Sequence, residues 1–268
     1  MRTQQLLYAA AGVIVLIILL LIGWGLTHRS DDGAVRGATN FAGAVDRAQA
    51  ATVMVTVSGS GDQDTMQMGS GFVVSPDGLV VTAAHVTGGL PVVNMVFADG
   101  SVARAELVGA DEAVDVAVFR VTPGKPLIAL SFADSNQVKA GQPVLLMGAP
   151  YGLVGTATSG IVSAVNRQIG AAPVDEDDPF AQGALSGPVK SYIQTDAALT
   201  AGGSGGPLLN AGGQVIGMAS ARESRGEPGA GLAFAIPANV VRDTVERFKQ
   251  APAAPPPAPP PAPAQQRR

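Results

Sequence analysis

The chain has no cysteine among its 268 residues, which excludes disulfides, thiolate catalysis and cysteine-ligated zinc and leaves either side of a bacterial-type membrane open. Histidine is nearly as scarce, with only His28 and His85 present. With so few imidazoles and no thiols, the acidic residues show no metal-ligand spacing, so no metal and no other cofactor is expected. Basic residues are few: 17 Lys and Arg stand against 21 Asp and Glu, for a net charge of −4. No basic block concentrates enough charge to bind phosphates, and nucleic acid is not expected as a partner. Aromatic residues make up 4% of the chain, so any core must be built from Val, Leu, Ile and Ala. At this length the core can fill one two-part domain or two small ones.

Long hydrophobic runs are missing too, with one exception. Leu6–Leu26 carries no charge and is long enough to cross a bilayer core of ~30 Å at ~1.5 Å per residue. It lacks the small-residue cleavage site of a signal peptide and ends at Trp24, which suits the membrane interface. Residues 1–28 are therefore expected to be an uncleaved signal anchor, making a single-pass protein of a bacterial-type cytoplasmic membrane. Its body is expected to be extracytoplasmic, on the periplasmic or cell-wall side. Residues 29–50 read as a juxtamembrane linker and a short helix, Phe41–Ala50, with Phe41, Val45 and Ala48 on one face. At the other end, residues 251–268 are an Ala/Pro tail that favours polyproline II and acts as a disordered spacer.

Between these ends the sequence is punctuated into short strands. Ala51–Val57 alternates; Gly69–Val74 and Leu79–Thr82 flank Ser75-Pro76-Asp77-Gly78; Val92–Phe97 and Val102–Val108 flank Asp99-Gly100; Val114–Val121 follows. No helix is evident in this half. The second half repeats the style in Pro143–Met147, Thr156–Val165, Lys190–Thr195, Pro207–Leu209, Val215–Ser220 and Gly231–Ile236. One helix is expected from Ala238 to Lys249, with Val241, Val245 and Phe248 on a shared face. Residues 170–188, with Asp175-Glu-Asp-Asp178, are too polar for a core and read as a surface loop. Such regular short strands imply a closed barrel or a sandwich.

The residues able to do chemistry lie in a fixed order. Ser204 sits among Gly202, Gly203, Gly205 and Gly206, where the backbone can turn sharply and leave N–H groups pointing one way. That is the geometry of an oxyanion hole, although the same run is also an ordinary Gly-rich turn. A serine nucleophile needs a base, and the imidazole needs a carboxylate to hold its tautomer. With His28 beside the anchor, the base must be His85, at the end of Val80-Val81-Thr82-Ala83-Ala84. Asp115 stands in the apolar run Val114–Val118, where a carboxylate is costly unless paired. Asp111 and Glu112 sit in a polar turn and read as solvated.

These motifs resemble the trypsin-like serine proteases of the Deg/HtrA type. The resemblance covers about residues 48–243. It runs through Gly69-Ser-Gly-Phe-Val-Val, Thr82-Ala-Ala-His85, Asp115-Val-Ala-Val, Gly148-Ala-Pro-Tyr-Gly-Leu153, Thr158-Ser-Gly-Ile-Val-Ser163, Gln194-Thr-Asp-Ala-Ala198, Gly202-Gly-Ser-Gly-Gly-Pro207 and Phe234-Ala-Ile-Pro237. It implies an all-β fold of two chymotrypsin-like antiparallel six-stranded barrels, residues 51–135 and 136–250, the second carrying the C-terminal helix. It implies a triad of Ser204 as nucleophile, His85 as general base and acid, and Asp115 as orienter. The oxyanion hole would use the N–H groups of Gly202 and Ser204, with Gly203 as a further candidate donor. Gly203 departs from the asparagine common at this place in the family. The pocket on the acyl side of the scissile bond would have its floor at Ala198, Leu199 and Thr200 and its wall at Ile216 and Met218. Extended or unfolded polypeptides are the implied substrates, and a homotrimer with Phe41 at its contact is an assembly the family brings with it. No PDZ domain is expected after the barrels.

Two other classes of function fit some of these features: a catalytically silent peptide-binding module of the same fold, and a structural surface protein whose Pro-rich tail spans the envelope. The protease reading accounts for the order His, Asp, Ser; the others do not require it.

Overall fold

The computed structural model describes residues 40–58, 66–168, 191–222 and 232–250. The expected membrane anchor, the acidic loop 170–188 and the Pro-rich tail lie outside the described residues. Among those described, no helix is long and apolar enough to cross a membrane.

The chain enters through helix α1 (Ala42–Ala51), which buries Ala48 and Ala51 and packs Phe41 and Val45 against the core below. Six strands follow: β1 (Thr52–Ser58), β2 (Met66–Val73), β3 (Leu79–Thr82), β4 (Val92–Phe97), β5 (Val102–Asp111) and β6 (Val116–Val121). They pair antiparallel in the order β1-β2-β3-β6-β5-β4, and β4 returns to β1 to close the barrel. Six more follow the linker 122–142: β7 (Pro143–Gly148), β8 (Thr156–Arg167), β9 (Tyr192–Thr195), β10 (Pro207–Asn210), β11 (Val215–Arg222) and β12 (Ala233–Pro237). They form a second closed barrel in the order β10-β11-β12-β9-β8-β7, the same connectivity as the first. Closure leaves neither barrel with a free edge to template aggregation.

Burial along the strands shows what each face meets. β4 alternates between buried and exposed residues, because one face fills the barrel and the other meets water. β3 is buried at all four positions, and β6 at every position but Arg120. Strands buried on both faces need continuous apolar sequence, and Leu79-Val80-Val81 and Val116-Ala117-Val118-Phe119 supply it. The second barrel fills its interior with Val144, Leu146, Val162, Ile193, Leu208 and Ile216. Its other face contributes Met147, Leu209, Met218 and Ile236 to the larger core that includes Phe72, Val81 and Phe119 of the first barrel. The two barrels are thus joined by a shared apolar layer, reinforced where Phe132 of the linker meets the edge of Phe72 at 6.2 Å.

Helix α2 (Ala84–Thr87) is a single turn after β3. Helix α3 (Ala238–Gln250) buries Ala238, Val241, Thr244 and Val245. It touches β5 and β6 of one barrel and β11 and β12 of the other. Its start is fixed to the linker: Ser135 Oγ accepts Asn239 N–H at 3.1 Å, and Asn239 Nδ2 donates to Asp134 at 2.8 Å. Near its end Arg247 pairs with Asp111 on the last residue of β5, so Asp111 is bound to the helix rather than simply solvated. Beside it the Phe248 ring occupies the space over Gly109, at a register shift in β5.

A Cβ at Gly109 would lie 2.4 Å from the Phe248 ring. Gly109→Ala is therefore expected to destabilise the domain by about 1–3 kcal/mol in urea unfolding. In Gly109→Ala/Phe248→Ala the losses should fall short of additivity by about 0.5 kcal/mol or more. A Gly109→Ala protein as stable as its parent would show that α3 is not seated on this strand.

Candidate active site

Three short irregular segments carry the site. β3 ends at Thr82, and the one-turn helix α2 places His85 at the rim between the barrels. Before β6 the chain turns through Asp111–Asp115, with Val114 N–H bonded to Asp111 and Asp115 N–H to Glu112. Asp115 closes that turn in the left-handed region, φ 54°. The expected strand Val114–Val121 therefore begins two residues late, at Val116. Aspartate adopts this conformation more readily than most residues because its short polar side chain bonds locally.

The Asp115 carboxylate is nearly buried and takes three donors. His85 presents Nδ1 at 3.0 and 2.9 Å to its two oxygens and its backbone N–H at 3.0 Å. Ser220 Oγ donates at 2.6 Å. With Nδ1 facing the carboxylate, the ring proton sits on Nδ1 and Nε2 is left as an acceptor. Nε2 is buried and has no partner among the described residues.

Ser204 follows a tight turn. Gly203 N–H donates to Thr200 C=O at 2.9 Å, and Gly202 takes φ 88° between them. A positive φ at the third position of a turn defines type II and requires glycine. Gly203 N–H is thus already engaged, whereas the Gly202 and Ser204 N–H groups donate to no other group among the described residues. Gly203 is accordingly removed from the expected donor set. Ser204 Oγ donates to Ser220 C=O at 3.2 Å, not to His85. Ser220 touches both halves of the site, through its carbonyl to Ser204 and its hydroxyl to Asp115.

The expected pocket residues divide. Ala198, Leu199 and Thr200 lie at or near the surface, and Leu199 Cδ1 reaches to within 2.6 Å of where a Gly203 Cβ would stand. Ile216 and Met218 do not form a common wall. β10 pairs Leu208 with Gly217 but Leu209 with Val215, a bulge that accommodates Ile216 as the extra residue. The bulge reverses strand parity, sending Ile216 into the second barrel and Met218 into the layer between barrels, 2% and 0% exposed. Two residues to which the sequence reading assigns no role of their own are prominent instead, Ser220 and Ser70. Each is a polar residue flanked on both sides by small and apolar residues, Gly69 and Gly71 or Ala219 and Ala221, which is the available signal.

Residues 69–218, more than half of the chain, match the family described as "Trypsin-like peptidase domain". The chain belongs to that family. A protein described as "Probable periplasmic serine endoprotease DegP-like" from Brucella suis biovar 1 is 39% identical over 189 residues, covering 70% of this chain and 34% of its own length. One of the same description from Halomonas elongata is 41% identical over 187 residues, covering 70% and 36%. The chain thus spans about a third of the length of the curated relatives it matches. The solved structure of the HtrA-type protease AlgW with a tripeptide aligns with TM-score 0.67 at 30% identity, over 79% of this chain and 64% of that one. The paired six-stranded barrels are the chymotrypsin-like fold of this trypsin-like peptidase family.

The trypsin-like site also leaves a mark on a neighbouring titration. Burial, and then the charge of Asp115, push the Tyr192 phenol up from 10.0 to about 12. Because the folded value lies above the unfolded one, this group's contribution to stability is intact below pH 10.0 and is lost as pH rises toward 12. Between those limits the free energy of unfolding should fall by up to ~1.4 kcal/mol per pH unit from this group. Tyr192→Phe should flatten that slope in denaturant titrations from pH 9 upward, on a scale of about one proton. Parallel slopes in the two proteins would refute the assignment.

Proposed function

We propose that the protein is a serine endopeptidase that cuts extended or unfolded polypeptides outside the cytoplasm, held there by Leu6–Leu26. The observation that carries the reading is the Asp115–His85 pair, which leaves a buried imidazole Nε2 with no partner among the described residues, linked through Ser220 to the hydroxyl of Ser204 in its glycine turn. In this mechanism Ser204 Oγ bonds to the scissile carbonyl carbon as its proton passes to Nε2. Asp115 stabilises the resulting imidazolium without taking the proton. The Gly202 and Ser204 N–H groups receive the oxyanion. The tetrahedral adduct expels the amine, which takes the proton from Nε2; water then repeats the sequence on the acyl-enzyme.

The acyl-side pocket is read from Ala198, Leu199 and Thr200. None is charged; the carboxylate nearest in sequence is Asp196, one oxygen of which accepts the Ile161 N–H at 2.6 Å. A bound Lys or Arg side chain would lose its hydration without gaining a partner, at a cost of several kcal/mol. Cleavage after Val, Ala or Leu follows, with a graded preference because one methylene is worth only ~1–3 kcal/mol.

The silent binding module is favoured by one observation: the Ser204 hydroxyl bonds to Ser220 C=O rather than to His85. An active-site-directed fluorophosphonate separates the two readings. The protease should be labelled at Ser204 and cut casein; Ser204→Ala should do neither, and absence of label on the parent would establish the binding module. Asp115→Asn should lower turnover by about 10³- to 10⁴-fold, because it permits the wrong imidazole tautomer. Asp111→Asn should leave turnover nearly unchanged, and a reversed order of the two would mean that the orienting acid is Asp111.

A peptide-library profile tests the pocket. Val, Ala and Leu should dominate on the acyl side, and Leu199→Asp should abolish that preference. A parent profile dominated by Arg and Lys would overturn the pocket reading while leaving the triad intact.

A further inference from the structure

Three successive carbonyls of the nucleophile turn are held in place. Ala201 C=O accepts Tyr151 N–H at 3.3 Å, Gly202 C=O accepts the Ser70 hydroxyl at 2.6 Å, and Gly203 C=O accepts Gly206 N–H at 3.1 Å. A trans peptide is planar, with its C=O and N–H on opposite sides. Holding the Ala201 and Gly203 carbonyls therefore sets the direction of the Gly202 and Ser204 N–H groups, which belong to the same two peptides. The Gly202–Gly203 peptide between them is flanked by glycine torsions that no Cβ restrains. Those torsions, ψ of Gly202 and φ of Gly203, also set how the two outer peptides lie relative to one another, so drift in them would spread the Gly202 and Ser204 N–H groups even with each outer carbonyl bonded. Its N–H is held within the turn by Thr200, and its carbonyl by Ser70.

Ser70 is placed to do this. It is 0% exposed, on β2 of the first barrel. Its hydroxyl also accepts Ala149 N–H at 2.8 Å, and its own N–H donates to Ser204 C=O at 2.8 Å. The space around the hydroxyl is closed, since a Cβ at Gly148 would lie 3.0 Å from it and 3.3 Å from Gly203 Cα. Deleting the hydroxyl would take this partner from both the Gly202 carbonyl and the Ala149 N–H.

We infer that Ser70 is a positioning residue of the reaction: through Gly202 C=O its hydroxyl fixes the central peptide of the oxyanion-binding turn, so that the Gly202 and Ser204 N–H groups converge. This rests on the protease reading above. Of the three carbonyl contacts it is the one made by a side chain, and so the one a substitution can remove while leaving the backbone donors in place.

The test compares the full chain with Ser70→Ala and Ser70→Cys. It measures kcat and KM on a chromogenic peptide with Val on the acyl side, affinity for the matching peptide boronate, and labelling by fluorophosphonate. Ser70→Ala should lower kcat by about 10- to 100-fold with KM within about twofold, because the hole acts on the transition state and not on the bound substrate. Boronate affinity should fall by the same factor as kcat. Ser70→Cys, with a weaker donor of similar size, should lie between. If Ser70→Ala fails to fold, as read by circular dichroism, Ser70→Cys against the parent carries the same comparison. An active parent with a variant whose kcat and boronate affinity are unchanged, or whose loss lies wholly in KM, overturns the role of Ser70 alone. A parent inert to peptide and fluorophosphonate overturns the protease reading and this inference with it.

Discussion

The first barrel supplies His85 and Asp115 and the second supplies Ser204 and Ser220, so the site depends on how the barrels meet. Where they meet at the Ser204 turn, the backbones nearly touch. Ser70 N–H donates to Ser204 C=O at 2.8 Å, and a Cβ on Gly205 would lie 2.1 Å from Ser70 C=O. No side chain fits there, which is why glycine must follow Ser204. One such hydrogen bond contributes only about 1 kcal/mol net, too little to hold two barrels together. The shared layer of Phe72, Met147, Leu209 and Met218 and the α3 clamp supply the adhesion; the bond between Ser70 and Ser204 supplies the alignment.

Within that frame the most demanding group is the Asp115 carboxylate. It is only 6% exposed, and an unpaired charge there would cost several kcal/mol. Two donors from His85 and one from Ser220 offset that cost, and they draw on both barrels. Burial strengthens the carboxylate–imidazole contact, and burial of Tyr192 together with the Asp115 charge pushes that phenol toward its neutral form. Burial, pairing and the choice of imidazole tautomer are therefore one arrangement seen from three groups.

Much of this was legible in the sequence, for identifiable reasons. Strands bounded by turn residues declare themselves, so β3 and β4 fall where alternation and Gly/Pro punctuation place them, and Val241 and Val245 mark the buried face of α3. Three features were not legible. Helix α2 is one turn long, too short to show a period, so His85 read only as the end of a strand. Val114 and Asp115 continue an apolar run and looked like strand, because nothing in composition marks a left-handed φ at an aspartate. The bulge at Ile216 leaves no trace in hydrophobicity, since both faces of β11 are buried and a reversal of parity exchanges one apolar environment for another. Ile216 and Met218 therefore seemed to share a wall that the strand does not provide.

The arrangement of Ser204 follows from the same division between backbone and side chain. Its carbonyl is fixed by Ser70, the next residue by Gly205 N–H on Ala219 C=O at 2.7 Å, and the preceding turn by the three carbonyl contacts. The hydroxyl alone is lightly held: 3.2 Å to Ser220 C=O is long for an O–H donor, whose bonds centre near ~2.7–2.8 Å. Against that weak bond stands a buried imidazole nitrogen lacking any donor among the described residues, a deficit of order 1–3 kcal/mol for a polar atom out of water. With the backbone pinned on both sides, the group left to move is the side chain. Rotation about Cα–Cβ is a picosecond-to-nanosecond event, far faster than rearrangement of a turn. Rotation of that side chain thus changes only the acceptor of a single proton, with the Ser204 turn already formed.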